Sequence, residues 1–517
     1  MARIEDGSGF SFDTGRNAAQ FEGQQFLNSQ TEQDITHNCG IVGVYSQDAD
    51  VVAMAQVVLY GLQPRGHEGA GMAVTDGYEF VDHKADGWVK DALPKDAIEQ
   101  LKAIKPIIAI GQDRYSTQGT LSKHALQPFA QGNFFLAHNG TLANGRIIAE
   151  RARELGYHGD MHSDSWALYQ TIIRGEGETS EDKIINAVSQ TEPAFSLVIS
   201  DGKRLFGMRD YMGVRPLALG RLSGDKGFVL ASEPNAFPTI GAYFERDIKP
   251  GEGVAIDENG VETFYQDPRT ERGIESFCSF EYVYIASPDS KINGRWVGEI
   301  RSDLGRRLAR RDIENGFIPD VVVPVQNSGS AYADGYAAEM GTHVRKGLVA
   351  NSYVGRVFIE PGERDVASRI KQRVNPPVVS GKKVAVIDDS IVRSTTARQL
   401  REVLINYPKF MGMAPPAEIH IRSGSPKIID QCFLGVDMAK SRDELIAYRK
   451  QSDGEIAEEL GFDSVGYAEM EDLVAAIRGE DFVPAPRETL FQENGLCGGC
   501  YTGLHPVRTD QTLGKFE

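Results

Sequence analysis

The stretch Val384-Ala385-Val386-Ile387-Asp388-Asp389-Ser390-Ile391-Val392-Arg393-Ser394-Thr395-Thr396 indicates the fold of the second half of this chain. Its first four residues are apolar, which predicts a strand buried on both faces of a parallel sheet. Asp388 and Asp389 follow at the carboxyl end of that strand, where open α/β sheets place their ligands. A helix is predicted after the hydroxyl residues, over residues 397–404.

The chemistry of this stretch suits a sugar phosphate. Backbone N–H groups at a helix start, together with the hydroxyls of Thr395 and Thr396, form a cradle for an anion. The acids Asp388 and Asp389 would hold ribose hydroxyls or Mg2+, while the loop would hold a phosphate. The alternative is a buried strand with an acidic cap before a helix. That alternative explains the two acids alone, but not the whole string.

The surrounding sequence alternates between strand and helix patterns. Helices are predicted over residues 297–310 and 332–340, and strands over residues 321–325, 346–350, 384–387 and 418–422. Such alternation predicts an α/β domain with a mostly parallel sheet. From residue 463 onwards we expect a short helix and then a tail rich in Pro and Gly.

The first half of the chain is different, because short strand patterns recur in it with fewer helices. Strands are predicted over residues 39–45, 107–111, 134–140, 195–199, 205–208, 217–219 and 228–231, and helices over residues 51–62 and 166–173. Ser163 or Asp164 is a candidate N-cap for the second helix. Residues 1–38 are rich in Gly, Gln, Asn and Asp, which predicts a loose tail. Residues 267–270 are predicted to be a linker.

Composition excludes several classes of protein. The 517 residues allow about three domains. A net charge of −18 argues against a general binder of nucleic acid or anionic membrane. The sequence has no run of about 18 apolar residues and no apolar secretory signal near Met1, so a cytoplasmic protein is expected. In such a compartment, cysteines serve catalysis or metal binding more often than disulfides.

Cys39 lies at the end of the loose tail and the start of a strand. If residues 1–38 are removed, its own α-amine, with an ordinary pKa of ~7.7–8.0, becomes a general base for the thiol. The alternative is a buried structural cysteine.

The other four cysteines are Cys278, Cys432, Cys497 and Cys500. Cys497 and Cys500 form a CxxC pair in a Gly-rich loop, without the strand–helix context of a thioredoxin. Four thiols permit a Zn site or an Fe–S cluster, and the residues alone do not separate these two.

The first half resembles the class II glutamine amidotransferases. The matching motifs are Cys39-Gly40-Ile41-Val42-Gly43, Arg65-Gly66, Arg114-Tyr115-Ser116-Thr117, His138-Asn139-Gly140 and Ser163-Asp164-Ser165. The resemblance implies an N-terminal nucleophile hydrolase fold, an αββα sandwich. It implies that Cys39 attacks the glutamine amide and that Asn139 and Gly140 form the oxyanion hole. The implied glutamine ligands are Arg65, Arg114 for the α-carboxylate and Asp164 for the α-ammonium.

The second half resembles the type I phosphoribosyltransferases, and residues 39 to about 506 together resemble the amidophosphoribosyltransferase family. The joining motifs are Glu281-Tyr282-Val283-Tyr284, Pro288-Asp289-Ser290, Tyr353-Val354-Gly355-Arg356 and Asp443-Glu444-Leu445-Ile446-Ala447. The resemblance implies that glutamine-derived ammonia passes through an internal channel to phosphoribosyl diphosphate (PRPP). It also implies the ligands of PRPP, which are Asn327, Ser328, Asp388, Asp389, Ser390, Arg393, Ser394, Thr395 and Thr396. Mg2+ would lie near Ser328, Asp388 and Asp389, and residues 351–375 would form a lid.

The Bacillus type of this family implies more. The contexts of Cys278, Cys432, Cys497 and Cys500 resemble its ligands for a structural [4Fe-4S] cluster. The implied assembly is a homotetramer inhibited by purine nucleotides. The implied domains are a propeptide or tail over 1–38, a glutaminase over 39–268, a phosphoribosyltransferase over 269–480 and a cluster-bearing tail over 481–517.

The sequence departs from the family mainly on the acceptor side. Gln326-Asn327-Ser328 stands where Pro-Asp-Ser is usual, and Ser394 stands where Gly is usual. Cations usual around the lid are replaced by Ala350, Ser352 and Val366. Each charged hydrogen bond contributes about 1.5–3 kcal/mol, so the loss of these cations predicts a lower affinity for PRPP. Two alternatives follow: a relative that aminates a different acceptor, and a non-catalytic regulatory protein. On the glutamine side, Pro64, His67, Gln112-Asp113 and Trp166 also depart from the usual residues.

Overall fold

The structure is a computed structural model that describes residues 39–114, 126–132, 134–350, 372–436, 438–439 and 441–507. The predicted tail, Tyr115-Ser116-Thr117 and residues 351–371 of the predicted lid lie outside the described residues. None of the described helices is both long and apolar enough to cross a bilayer.

Within the described residues, the strands are β1 (Gly40–Tyr45), β2 (Gly69–Thr75), β3 (Phe80–Asp86), β4 (Ile108–Arg114), β5 (Phe129–Gln131), β6 (Phe134–Gly140), β7 (Phe195–Ser200), β8 (Leu205–Arg209), β9 (Ala218–Leu222), β10 (Phe228–Ala231), β11 (Ala242–Asp247), β12 (Glu252–Asp257), β13 (Gly260–Gln266), β14 (Phe277–Cys278), β15 (Lys291–Ile292), β16 (Arg295–Trp296), β17 (Val321–Pro324), β18 (Leu348–Ala350), β19 (Gln372–Val374), β20 (Lys383–Asp388), β21 (Glu418–Ser423), β22 (Ser464–Tyr467) and β23 (Leu496–Cys497).

The α-helices of the same residues are α1 (Val51–Leu62), α2 (Val89–Ala92), α3 (Lys95–Lys102), α4 (Gly145–Glu154), α5 (Asp164–Arg174), α6 (Ser180–Val188), α7 (Val297–Glu314), α8 (Ser330–Glu339), α9 (Pro376–Val379), α10 (Thr395–Phe410), α11 (Ile446–Arg449), α12 (Asp453–Leu460), α13 (Met470–Arg478), α14 (Leu490–Glu493) and α15 (Gly499–Thr502).

The first half is a four-layer αββα sandwich. Its two sheets run in the order β11-β9-β10-β1-β4-β2-β3 and β13-β12-β8-β7-β6-β5, with antiparallel neighbours throughout. Period-two alternation explains the layers. In β1, Ile41 and Tyr45 face the core between the sheets, whereas Val42 and Val44 face the core under α1. Helices α4, α5 and α6 cover the outer face of the second sheet.

The second half is built on a parallel sheet in the order β17-β20-β21-β22. Val384 and Val386 of β20 pack into one core, while Ala385 and Ile387 pack into another on the opposite face. A strand covered on both faces is apolar throughout, as the sequence predicted. The parallel direction brings the carboxyl ends of β17 and β20 to the same edge, which places Ser328 and Asp388 together.

Three details differ from expectation, two in the second half and one at the junction before it. The strand predicted over residues 346–350 forms β18, which pairs only with β19 as a separate antiparallel pair among the described residues. Strand β22 was not predicted, because Ser464-Val465-Gly466-Tyr467 is short and contains a glycine. Its strand conformation comes from parallel pairing with β21. The predicted linker is a 3-10 helix, Pro268–Arg272.

The two halves share a hydrophobic core. Met212 and Val214 of the sandwich pack in the same cluster as Tyr282 and Tyr332 of the second half. Strands β14 and β23 pair in parallel with Cys278 opposite Cys497, which ties the C-terminal region back to the segment after the sandwich.

Candidate active sites and cysteine cluster

Cys39 precedes β1, and the peptide group that joins it to Gly40 is held from both sides. The Nε of Arg65 donates to the Cys39 carbonyl at 3.3 Å. The Gly40 amide donates to Oδ1 of Asp113 at 2.6 Å. The backbone directly after the candidate nucleophile is therefore fixed by two buried side chains.

Asp113 contacts the backbone beside the candidate nucleophile, a contact that the sequence did not reveal beyond the departure of Asp113 from the usual pattern. Its side chain is fully buried, and its Oδ2 has no hydrogen-bond partner among the described residues. Burial raises the pKa of Asp113 well above the ordinary value, although the Gly40 amide and the Arg65 charge oppose the shift. The neutral acid is thus favoured beside Cys39.

Arg65 was expected among the glutamine ligands, but in this structure its side chain contacts the carbonyl of Cys39, the candidate nucleophile. Its guanidinium is fully buried and donates to Glu281 at 2.8 and 3.0 Å and to Glu233 at 2.5 Å. Burial opposes its charge, but Glu281 and Glu233 outweigh burial and raise the pKa of Arg65. All three guanidinium nitrogens thus have protein partners. Direct contact with glutamine stays a prediction, and the observed role is to position the Cys39 carbonyl.

The motif Arg65-Gly66 has a steric reason. A Cβ at Gly66 would lie 2.7 Å from the backbone nitrogen of Arg114, at the end of β4. The turn therefore crosses that strand end closely, and only a residue without a side chain fits.

Asn139 and Gly140 end β6, which lies in the sheet that faces β1. The Nδ2 of Asn139 lies 3.5 Å from the Oγ of Ser232, and this hydroxyl also accepts from the Ile41 amide at 3.1 Å. Ser232, which the sequence did not single out, thus connects the nucleophile strand to the predicted oxyanion hole. Gly140 has a φ of +137°, in the region that favours glycine.

His138 supports this strand end from inside. Its Nε2 lies 3.3 Å from the Ala194 carbonyl and its Nδ1 lies 2.7 Å from the Ser165 hydroxyl. A carbonyl accepts only, so the proton lies on Nε2 and the Ser165 hydroxyl donates to Nδ1. Burial lowers the pKa of His138, so the neutral ring is favoured.

Asp164 begins α5, and Ser163 is its N-cap, accepting from the Trp166 amide at 3.1 Å. The Asp164 carboxylate accepts from the amides of Leu142 and Ser165, both at 2.8 Å. It thereby fixes the loop after Gly140 to the helix start. Ligation of the glutamine ammonium by Asp164, and of its carboxylate by Arg114, stays a prediction.

The second candidate site lies at the carboxyl end of β20. The Ser328 hydroxyl donates to Asp388 Oδ1 at 3.1 Å, and the Ser390 hydroxyl donates to Asp389 Oδ2 at 2.6 Å. Burial raises the pKa of Asp388 well above the ordinary value, and the neighbouring charge of Asp389 adds to the shift. Two buried carboxyls, one of which accepts from the Ser328 hydroxyl of the loop after β17, suit a hard cation or ribose hydroxyls.

The predicted phosphate loop leads into α10. Thr395 and Thr396 form its first turn, so their amides lie among the unpaired N–H groups of a helix start. Ser394 precedes the helix with φ −80° and ψ −20°, a conformation open to any residue. Arg393 is buried and forms an ion pair with Glu444 at 3.1 Å, so in this structure it stabilises the loop. Asn327 is exposed in the loop after β17.

The structure brings the four remaining cysteines into one region. Cys278 and Cys497 are paired residues of β14 and β23. Burial raises the pKa of Cys278 to about 11, and the charge of Cys432 adds to the shift. Burial likewise raises the pKa of Cys500, and the other three thiols raise it further, so all four lie within electrostatic reach of one another.

A group of three or more ligands close enough for a single metal ion is absent from the described part of the chain. An iron–sulfur cluster places its four thiolates around a larger cage than a single ion does. Four thiols within electrostatic reach of one another fit such a cluster, and an all-cysteine set also suits a tetrahedral Zn site, so the identity of the metal group stays a prediction.

The segment after β21 connects the centres. Gly424 donates its amide to the Asp388 carbonyl at 2.8 Å. Further along, the amide of Leu434 lies 3.4 Å from the Cys432 sulfur. Gly435, with φ +105°, lies against Gly140, where a Cβ would be 3.0 Å from the Gly140 carbonyl carbon.

Comparisons with known proteins agree with this arrangement. A family model described as a glutamine amidotransferase domain matches residues 112–239. The amidophosphoribosyltransferase of Mycobacterium tuberculosis is 37% identical over 515 residues, which cover 95% of this chain and 92% of that protein. That of Methanocaldococcus jannaschii is 36% identical over 501 residues, covering 92% of this chain and all of that protein. The chain belongs to the amidophosphoribosyltransferase family.

A solved structure of the same family agrees in fold. It is the glutamine PRPP amidotransferase of Bacillus subtilis complexed with ADP and GMP, with a TM-score of 0.80 and 32% identity, covering 92% of this chain and 98% of that one. The predicted family and the predicted two-part fold are thereby confirmed. The individual site residues, the metal ligands and the domain boundaries stay predictions.

Proposed function

We propose that this chain is an amidophosphoribosyltransferase that releases ammonia from glutamine and transfers it to PRPP. The products are glutamate, pyrophosphate and 5-phosphoribosylamine, as in the first step of purine synthesis. The observation that supports this most is that one compact unit holds both candidate sites. The segment after β21 contacts Asp388 of one site and Gly140 of the other.

In the glutaminase step, the Cys39 thiol attacks the glutamine side-chain amide. If residues 1–38 are removed, the α-amine of Cys39 takes the thiol proton and passes it to the leaving ammonia, which leaves a glutamyl thioester. Water then hydrolyses the thioester, which releases glutamate and restores the thiol. The Nδ2 of Asn139 and the amide of Gly140 stabilise the tetrahedral oxyanion. Arg114 and Asp164 orient the amino acid by its two charges.

In the transfer step, Asp388 and Asp389 hold the ribose hydroxyls, while the start of α10 holds the 5-phosphate. Ammonia displaces pyrophosphate at the anomeric carbon. Mg2+, when bound near Ser328, Asp388 and Asp389, would neutralise charge on the leaving pyrophosphate. An internal channel for ammonia remains part of the proposal.

The experiment follows glutamate and pyrophosphate together, with glutamine, Mg2+ and PRPP present. Equal amounts of both products from the wild type, and neither from Cys39→Ala, support the proposal. Glutamate without pyrophosphate would indicate a different acceptor, and the absence of both from protein with a processed Cys39 would indicate a non-catalytic protein. Mass spectrometry of active enzyme tests removal of residues 1–38.

We also propose that Cys278, Cys432, Cys497 and Cys500 hold a [4Fe-4S] cluster that cross-links three segments of the chain. Four iron and four sulfide per chain in anaerobically purified protein would support it, whereas one zinc per chain would refute it. Reduced thiols at this site suit a cytoplasmic protein. The resemblance supports a homotetramer, which analytical ultracentrifugation tests.

A further inference from the structure

A network of buried charged side chains connects the backbone of the segment after Cys432 to the backbone of Cys39. Arg215 is fully buried, and its Nη2 and Nε donate to the Leu434 carbonyl at 2.7 and 3.2 Å. Its Nη1 donates to Glu281 Oε1 at 3.2 Å. The same Glu281 oxygen accepts from Arg65 at 2.8 Å, and Arg65 in turn donates to the Cys39 carbonyl.

The residues of this network come from both halves of the molecule. Arg65 and Arg215 belong to the sandwich, whereas Glu281 lies three residues after Cys278, and Leu434 lies two residues after Cys432. Glu281 is also fully buried. A carboxylate that bridges two guanidiniums away from water has few alternative geometries, because each lost contact leaves a buried charge unpaired.

We propose that Arg215 and Glu281 are positioning residues for glutamine hydrolysis, and that they make the placement of Cys39 depend on the conformation of the segment Cys432–Gly435. This inference rests on the proposed glutaminase function. Neither residue is among the predicted ligands of glutamine. Their effect passes through Arg65 to the carbonyl next to the nucleophile.

A second contact also connects the segment Cys432–Gly435 to the candidate glutaminase site. Gly435 lies against Gly140, so the same segment also touches the predicted oxyanion hole. If the segment moves, the nucleophile and the oxyanion donors are both affected. A displacement of about 1 Å in a catalytic group lowers rates by roughly a hundredfold.

The test uses the protein as it is purified, with its N-terminus determined by mass spectrometry, and the variants Glu281→Gln and Arg215→Lys. Glu281→Gln keeps the shape of the side chain and removes the charge between the two arginines. Arg215→Lys keeps the charge but cannot reach Glu281 and the Leu434 carbonyl in the same way. The matched control is Asp312→Asn, because Asp312 is a buried carboxylate that accepts from Arg422 at 2.7 Å in the second half.

Two readouts are measured for each variant: the kcat and KM of glutamate release, and the rate of Cys39 alkylation by iodoacetamide, followed on the Cys39 peptide by mass spectrometry. In Glu281→Gln and Arg215→Lys we expect kcat to fall about ten- to a hundredfold with little change in KM. The rate of Cys39 alkylation should change in the same two variants. Asp312→Asn should leave both readouts near wild type. The double variant should be no slower than the slower single variant, because both act on one path.

Unchanged alkylation and kcat in Glu281→Gln and Arg215→Lys would overturn the proposal, and so would an equal loss in Asp312→Asn. If the wild type releases no glutamate, the proposed function fails, but the alkylation rates still test the positioning role. If Glu281→Gln does not fold, Arg215→Lys alone carries the same comparison.

Discussion

Gly435 lies directly against Gly140, so the segment that carries Cys432 touches the end of the strand that carries the predicted oxyanion hole. A Cβ at residue 435 would lie 3.0 Å from the carbonyl carbon of Gly140 and 3.1 Å from the amide of Thr141. Both atoms belong to backbone, which cannot move aside as a flexible side chain can. The contact joins the phosphoribosyltransferase half to the glutaminase centre through backbone alone.

We therefore expect Gly435→Ala to lower the kcat of glutamine hydrolysis by roughly ten- to a hundredfold, because the methyl group displaces the end of β6, which carries the predicted oxyanion hole. The control is Gly412→Ala. Gly412 also has a positive φ, +73°, but among the described residues no atom lies within 4 Å of its Cβ position. Both variants carry backbone strain of about 1–3 kcal/mol. Equal activities in the two variants would argue that strain alone, and not the contact, matters.

The pKa of Asp113 predicts a pH-dependent stability. Because burial raises this pKa in the folded state, the neutral acid contributes stability that is fully present below the ordinary carboxyl pKa of 3.8. That contribution is lost as the pH rises towards the folded-state pKa, by about 1.4 kcal/mol per pH unit. The melting temperature of the wild type relative to Asp113→Asn should therefore fall between about pH 4 and the folded-state pKa. A constant difference across that range would contradict the raised pKa.

Asp113→Ala should cost more than Asp113→Asn at neutral pH. The amide oxygen of Asn still accepts from the Gly40 amide, whereas Ala leaves this buried donor unpaired. An unpaired buried donor costs about 1–3 kcal/mol. Urea denaturation of the two variants measures the difference, and equal stabilities would show that the Gly40 contact contributes nothing.

Mg2+ should stabilise the protein more at higher pH. The pKa of Asp388 is raised by burial and by the charge of Asp389, so without metal its deprotonation destabilises the fold as the pH rises above the ordinary carboxyl range. Bound Mg2+ reverses this cost because it requires the ionised form. The rise in melting temperature on adding Mg2+ should grow between about pH 5 and 8 and disappear in Asp388→Asn. A rise that is independent of pH would place the metal elsewhere.

The presence of Ser394 in place of the usual glycine should have little effect on the affinity for PRPP. Ser394 adopts a backbone conformation that any residue can take, so a glycine is not required there. We expect Ser394→Gly to change the KM for PRPP by less than about threefold, which is below 1 kcal/mol. A much larger gain in affinity would mean that the serine side chain obstructs the phosphate. Steady-state kinetics with varied PRPP measure this.

Much of the fold could be predicted because its signals are local. The helix over residues 51–62 and the strands over residues 134–140 and 228–231 have the predicted bounds. The β-edge strand β3 was missed, because Asp82, His83 and Lys84 interrupt any apolar alternation. Only its antiparallel pairing with β2 makes it a strand.

The sequence by itself indicated the two-part fold, a candidate cysteine nucleophile, a predicted oxyanion hole at Asn139 and Gly140, and the acids at the end of β20. Apolar periodicity carries the alternation of strands and helices along the chain, whereas the candidate nucleophile and the oxyanion hole come from motifs that resemble the family. Only the tertiary structure revealed that Arg65 supports Cys39 from below, that Asp113 and Ser232 fix the neighbouring backbone, and that Arg393 pairs with Glu444. These relations join residues far apart in sequence. Their partners are selected by burial, which makes an unpaired charge costly wherever the fold brings it.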